Sequence, residues 1–103
     1  MIIYAVSLTV DKAIYDEYML WMHQHIKDVI QVDGFIGAEL LEEQENTLNE
    51  EFFHLAVHYS LDSMESLQNY LDNHALKFRG ESMKLFSGKS TATRKVFSLV
   101  AKF

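Results

Sequence analysis

Apolar residues recur along the chain with two different periods, which divide it into strand-like and helix-like stretches. Residues 2–10, 35–43, 51–60 and 91–103 are rich in β-branched and aromatic residues and contain no proline, which is typical of strands. Over residues 12–32, apolar side chains recur three or four positions apart, as they do along one face of a helix. A second helical pattern follows the third strand, so the elements run in the order β-α-β-β-α-β.

Polar residues and glycine mark where the helices begin and end. Asp11 is a suitable N-cap for the first helix, and Gly34 can adopt the left-handed conformation that commonly ends one. Residues 62–65 match a capping box whose cap is an aspartate. We expect the second helix to bend around His74 and to continue to about residue 86.

This order of elements predicts an α+β, ferredoxin-like fold, in which the helices cover one face of a four-stranded antiparallel sheet. We expect a single domain over residues 1–103. Side-chain alternation along the strands assigns to the helix-covered face Tyr4, Val6, Leu8, Val10, Ile36, Ala38, Leu40, Phe53, Leu55, Val57, Tyr59, Phe97, Leu99 and Ala101. The opposite face then holds Ile3, Ala5, Ser7, Thr9, Phe35, Gly37, Glu39, Leu41, Phe52, His54, Ala56, His58, Arg94, Val96, Ser98 and Val100. A shift of one residue in the register of the second or the fourth strand is the alternative, and it would exchange the faces of that strand.

The opposite face is too apolar to lie in water. Leaving its six large apolar side chains exposed would forgo on the order of 10 kcal/mol of burial, at about 1.5–3 kcal/mol each. Apolar surfaces of that extent usually mark an interface. We therefore expect a homodimer in which two sheets face each other and close a barrel around a partly polar interior.

Several stretches in a constant order resemble an uncharacterised family of short bacterial proteins with the dimeric α+β barrel fold. They are MIIYAVSLTVD, WMHQHI leading to DGF, VHYSLDS, HALKFRGESMKLF and TATRKVFSLV. The wider superfamily includes antibiotic-biosynthesis monooxygenases, haem-degrading monooxygenases, muconolactone isomerases and stress-responsive barrel proteins. The resemblance implies the architecture and not the chemistry, because this fold carries many functions. The Asn, Trp and His combination of the haem-degrading branch is not found, and Trp21 lies on the first helix.

Composition and charge narrow the classes of partner. With 49% apolar and 13% aromatic residues the chain can form a core, and it has no cysteine for disulfides or thiolate metal sites. The net charge of −6, without a cluster of Lys and Arg, argues against nucleic acid. No stretch has the character of a signal peptide or a membrane span, so we expect a cytoplasmic protein without a membrane partner. The polar stretch QENTLN, residues 44–49, predicts a solvated turn.

Candidate ligand-binding residues fall into two groups. Ser7, Glu39, His54, His58 and Arg94 are expected inside the barrel, where they could orient a small ligand or simply satisfy one another across the dimer.

On the first helix, His25 shares an apolar stripe with Trp21, so it is either a core residue or a group at the mouth of the pocket. His74, Lys77 and Arg79 are interpreted as surface charges, with an anion site at a helix N-terminus as the alternative.

The histidine spacing does not favour a metal. His54 and His58 share a face of a strand but stand roughly 13 Å apart, at about 3.4 Å per residue. His23 and His25 lie about 200° apart around a helix, so they cannot chelate one ion either. We expect no metal and no cofactor.

The pattern therefore predicts a homodimeric barrel that binds a small, moderately apolar ligand between its sheets. One alternative is a cofactor-free monooxygenase or isomerase acting on a small aromatic substrate, and the sequence leaves open whether the protein is an enzyme. A structural or regulatory dimer without a ligand is the other alternative. A binder or enzyme requires a cavity of at least a few hundred cubic ångströms, lined by His54 or His58, whereas a structural dimer requires a filled interior.

Overall fold

A computed structural model describes residues 1–44 and 51–103, which form one antiparallel sheet and three α-helices. Most of the turn predicted at QENTLN lies outside these residues. The strands are β1 (Ile2–Asp11), β2 (Phe35–Glu42), β3 (Phe52–Leu61) and β4 (Ser90–Ser98), in the spatial order β2-β3-β1-β4. The helices are α1 (Tyr15–Val29), α2 (Met64–Asn73) and α3 (Ala75–Phe86), and a 3₁₀ turn (Lys12–Ile14) precedes α1. This arrangement confirms the predicted ferredoxin-like α+β fold.

In strands β1 and β3, most of the side chains predicted to face the helices are buried. Their register pairs Tyr4 with Tyr59 and Val6 with Val57, so even positions of β1 and odd positions of β3 project to the same side. All four of these side chains are buried. The helices cover them with the buried side chains Tyr18, Met22, Val29, Leu67, Tyr70, Phe78 and Phe86.

The predicted faces of β4 are wrong by one residue. Arg94 pairs with Val6 and therefore projects to the helix-covered face, whereas Phe97 pairs with Ile3 on the opposite face. Val96 and Ser98, which pair with Tyr4 and Ile2, also change sides. The stretch TATRKVFSLV carries apolar residues at both odd and even positions, so its pattern does not specify which face is covered. The strand also ends at Ser98 rather than at residue 103.

A bulge near the start of β2 corrects two further assignments. Phe35 pairs with Leu61 and Gly37 with Ser60, which leaves Ile36 as the extra residue. The ring of Phe35 consequently lies among the helix-side aromatic residues, whereas Ile36 is 63% exposed. Beyond the bulge, Ala38 and Leu40 pair with Tyr59 and Val57 on the predicted side.

The helix boundaries follow local hydrogen bonding. The Asp11 carboxylate accepts a hydrogen bond from the Ala13 N–H at 2.8 Å, so it caps the 3₁₀ turn that leads into α1. Helix α1 ends at Val29, three residues before the predicted end, and Gly34 then takes φ +91° in the connection to β2. His74 adopts φ −129°, which confirms the predicted bend by separating α2 from α3.

The predicted capping box at the start of α2 is wrong by one residue. Ser63 is the cap, and its hydroxyl accepts from the Ser66 N–H at 3.2 Å. The Asp62 carboxylate accepts instead from the hydroxyls of Ser63 and Ser66, which lowers the pKa of Asp62. Among the residues described, no helix is long and apolar enough to cross a membrane.

Candidate functional site

A cavity of about 250 Å³ lies between the helix-covered face of the sheet and helices α1 and α3. The sheet contributes Tyr4, Val6 and Tyr59, because these side chains project toward the helices. Its other walls include Tyr18, Trp21, Met22, His25, Phe78, Arg79, Ser82, Ser90 and Arg94. The cavity is therefore built within one chain, on the side of the sheet opposite to the predicted ligand site.

Helix α1 supplies one wall because its lining residues recur at helical spacing. Tyr18, Trp21, Met22 and His25 follow the i, i+3, i+4, i+7 pattern, which places all four on one face. The ring centroids of Tyr18 and Trp21 are 5.8 Å apart, and Phe86 packs with its ring edge-on to both. This wall is a rigid aromatic surface interrupted by a single imidazole.

Among the described residues, the His25 side chain carries a buried polar atom that packing leaves unpaired. Its ring stacks on Trp21 at 4.5 Å and meets Phe78 edge-on at 5.5 Å. Nδ1 of His25 is buried and has no hydrogen-bond partner among the residues that the structure describes. Burial lowers the pKa of His25 to about 4, against a smaller opposing effect of Asp28, so the imidazole is neutral at pH 7. Unpaired buried ring nitrogens are uncommon.

Two arginines reach the cavity from opposite walls. Arg79 of α3 donates a hydrogen bond from Nη2 to the Tyr4 hydroxyl at 3.1 Å. Arg94 projects from β4 on the helix-covered face, beside Val6. Burial raises the pKa of Tyr70 to about 12, and both guanidinium groups oppose that rise. The two positive charges therefore act on the same hydroxyl group.

The family model described as "Domain of unknown function (DUF4286)" matches residues 1–100. The chain belongs to this family. A sequence search of curated proteins finds no match.

Solved structures similar to this DUF4286 chain share its fold at low sequence identity. A variant of SnoaB, a cofactor-independent oxygenase from Streptomyces nogalater, superposes with a TM-score of 0.71 and 14% identity, covering 98% of this chain and 95% of that one. An antibiotic biosynthesis monooxygenase superposes with a TM-score of 0.74 and 11% identity, covering 98% and 100% of the two chains. The haem-degrader MhuD from Mycobacterium tuberculosis, with two haems bound, superposes with a TM-score of 0.68 and 18% identity, covering 100% of this chain and 99% of that one.

The DUF4286 chain brings only three of its seven predicted site residues together. Trp21, His25 and Arg94 line the cavity. Arg94 and Glu39, both expected inside the barrel, project from opposite faces of the sheet, so Arg94 is not on the predicted face.

The other four predicted residues lie on the opposite face. Ser7 and His54 line a separate, open concavity of about 360 Å³, so a depression of the predicted size does lie beside His54, and His54 Nδ1 lies 3.3 Å from Thr9 Oγ1 within it. Glu39 and His58 are register partners on β2 and β3 and line neither depression. A role for these four in ligand binding stays a prediction. Within residues 1–44 and 51–103, no group of three or more His, Asp or Glu side chains could hold a metal ion.

Sequence reasoning missed the tyrosines, and it interpreted Arg79 as a surface charge or part of an anion site at a helix N-terminus, whereas Arg79 lines the cavity and bonds to Tyr4. Tyr4 and Tyr59 occupy helix-side strand positions, where a side chain with a hydroxyl tip requires a hydrogen-bonding environment that an aliphatic residue does not. That requirement is a signal of a polar region beneath the helices. Arg79 gives no such signal, because its direction depends on the bend at His74.

Proposed function

We propose that this chain forms a homodimer through the face of its sheet that no helix covers, and that each protomer binds a small, moderately apolar ligand in the cavity beneath its helices. The observation that carries the ligand-binding proposal is the cavity beneath the helices, which the stacked rings of Trp21 and His25 line. A cavity of about 250 Å³ lies just below the usual range of ligand pockets, about 300–1,000 Å³. It therefore suits a molecule with one or two rings.

The chemistry of the walls supports a flat ligand. Trp21 and Phe78 present ring edges and surfaces to the cavity, against which an aromatic ring can stack or pack edge-on, and the buried Tyr18 ring supports Trp21 from behind. The neutral His25 side chain adds a group that can accept or donate one hydrogen bond at fixed position. Aromatic walls with few polar groups are the usual construction of a small-molecule site.

Exposed apolar side chains support the homodimer. The open face, defined here as the sheet face that the helices do not cover, carries Ile3, Ala5, Leu41, Phe52, Ala56 and Phe97. Leu41, Phe52 and Phe97 are 40%, 38% and 51% exposed in the single chain. Covering a large apolar side chain contributes about 1.5–3 kcal/mol, so a second open face is a suitable partner.

A cofactor-free monooxygenase or isomerase is the second candidate, favoured by the neutral His25 within an aromatic cavity. In this reading His25 would take a proton from an aromatic substrate, as a general base does. A pKa of about 4 makes His25 a weak base, because catalytic bases work best near the operating pH. Binding without turnover therefore remains the leading proposal, and a reaction would require a substrate with an unusually acidic proton.

The single tryptophan of the chain provides the test, because Trp21 lines the cavity. A panel of quinones and aromatic acids is screened by thermal shift, and those that stabilise the protein are titrated while Trp21 fluorescence is recorded. The His25→Phe variant keeps a ring but removes both nitrogens, and we expect it to weaken binding about 10-fold, the value of one hydrogen bond of about 1.4 kcal/mol.

His23→Phe is the matched control, since His23 lies two residues away on the exposed side of α1. It should bind as the wild type does. Equal binding by both variants would show that His25 does not contact the ligand. A panel in which no compound changes the stability or the fluorescence would favour the structural dimer without a ligand. Oxygen uptake or product formation with a bound compound would favour the enzyme.

A further inference from the structure

We infer that the ligand is an aromatic monocarboxylate, whose ring lies against the aromatic wall and whose carboxylate is held by Arg79 and Arg94. This inference rests on the proposed ligand-binding function and names the class of ligand.

The charge of the cavity lining is opposite to that of the chain. The protein has 15 acidic and 9 basic residues and a net charge of −6. Among the described residues, however, the cavity is lined by two arginines and by no aspartate or glutamate. A random sample of this surface would favour carboxylates over guanidinium groups. The cavity therefore concentrates positive charge, which attracts a small anion.

The two guanidinium groups have donors to spare. Each carries five N–H donors, and the hydrogen bond from Arg79 to Tyr4 uses one of them. Within the described part of the chain, no carboxylate forms an ion pair with Arg94, and the side chain is exposed to the cavity and to solvent. Guanidinium groups bind carboxylates through parallel hydrogen bonds, so the remaining donors of both arginines are available to the two oxygens of one carboxylate.

The neighbouring hydroxyl groups are also donors. Burial raises the pKa of Tyr18 and Tyr70 to about 12 and raises that of Tyr59 further, so all three keep their protons at neutral pH. The Tyr4 hydroxyl accepts from Arg79, which leaves its own proton free to donate. A lining rich in donors suits a group that only accepts hydrogen bonds, as an ionised carboxylate does.

The shape of the cavity restricts the rest of the molecule. About 250 Å³ accommodates one or two rings, and the Trp21, Tyr18 and Phe78 rings require an apolar body. An anion without such a body would leave these walls uncovered. The combination of ring and carboxylate therefore satisfies both parts of the lining, whereas inorganic phosphate satisfies only one.

The test compares acids with amides that share the same ring and carry an uncharged group of similar shape in place of the carboxylate. Cinnamate and cinnamamide, and benzoate and benzamide, are titrated into the full chain at pH 7.5 by isothermal calorimetry, with acetate and phosphate as anions lacking a ring. We expect each acid to bind at least about 10-fold more tightly than its amide, because hydrogen bonds between charged groups are stronger than those to an uncharged amide. We also expect the preference to shrink as salt is added, because Arg94 is partly exposed.

Variants assign the effect to the arginines. Arg94→Gln and Arg79→Gln should each remove most of the preference for the acid over its amide, and Arg94→Lys should retain part of it. Lys84→Gln is the control, because Lys84 is exposed on α3 and does not line the cavity. Circular dichroism and thermal unfolding confirm that each variant is folded.

The outcomes separate this inference from the function on which it rests. Equal binding of acid and amide would overturn the inference that the ligand carries a carboxylate, and it would leave the proposed binding function intact. An acid preference that survives both arginine variants would place the anion elsewhere. Failure of every ring compound to bind would overturn the proposed function and this inference together.

Discussion

The imidazole of His25 lies nearly parallel to the indole of Trp21, with ring centroids 4.5 Å apart and planes 18° apart. The two residues are one turn apart on α1, so the helix itself fixes this stacking. The contact shields the imidazole from water and keeps it neutral at pH 7. Helix geometry and cavity chemistry are thus linked through one pair of residues.

The buried His25 predicts a loss of stability in mild acid. Its pKa is about 4 in the folded chain and about 6.5 in the unfolded one. Below pH 6.5 the unfolded state binds the proton first, so the free energy of unfolding falls until the pH reaches about 4 and then levels off. At about 1.4 kcal/mol per pKa unit, and discounted because solvent reaches part of the ring, we expect a loss of about 1–2 kcal/mol.

Urea unfolding at pH 7.5 and pH 4.5 measures this loss. Since carboxylates also titrate in this window, the informative quantity is the difference between the wild type and His25→Phe. The variant should lose about 1–2 kcal/mol less than the wild type, while His23→Phe should lose as much as the wild type. Equal losses in all three proteins would mean that His25 is not desolvated.

Adding one methyl group at Gly34 is expected to destabilise the fold strongly. Its φ of +91° is unfavourable for other residues, and a Cβ at this position would overlap the Ser66 side chain at the start of α2. The Gly34 carbonyl also accepts from the Asp62 N–H at 2.9 Å, so the backbone cannot easily move away. We expect Gly34→Ala to lower the free energy of unfolding by about 2–5 kcal/mol, from backbone strain and overpacking together.

Gly88→Ala separates these two contributions. Gly88 has φ +77°, but a Cβ there would meet no atom of the described chain within 4 Å. This variant should therefore lose only about 1–2 kcal/mol, from the left-handed backbone alone. Chemical denaturation of both variants measures the difference, and equal losses would show that the contact with Ser66 relaxes freely.

The sequence predicts strand faces well where one face is uniformly apolar. Every even position of β1 from Ile2 to Val10 is large and apolar, so a register shift would expose the whole set. β4 has no such contrast, and its register depends on its pairing with β1. The bulge in β2 has no hydrophobic signature either, so simple alternation assigns Phe35 and Ile36 to the wrong faces of the sheet.

The site is less predictable than the sheet because it is assembled from distant elements. Trp21 and His25 were identified together because one helix carries both. Arg79 and Arg94 converge only after α3 has been placed over the sheet, and that placement depends on the backbone angles of His74. No periodicity in the sequence specifies the backbone angles of His74. The pairing of Trp21 with His25 is therefore predictable from the sequence, whereas the cavity is not.

The open face predicts that one substitution separates dimerisation from ligand binding. Phe97 lies on this face, and Phe97→Glu places a charge where the partner sheet would pack. We expect the wild type to sediment at twice its chain mass of 12.0 kDa and the variant at 12.0 kDa.

Leu76→Glu is the control, since Leu76 is 81% exposed on α3, away from the sheet. It should remain dimeric. A wild type that sediments as a monomer at micromolar concentration would contradict the homodimer. Because the cavity lies within one chain, monomeric Phe97→Glu should still bind the aromatic ligand within about 3-fold of wild type, a difference of less than 1 kcal/mol. If binding disappears together with the dimer, the ligand lies between the sheets, where Ser7, His54 and His58 would contact it.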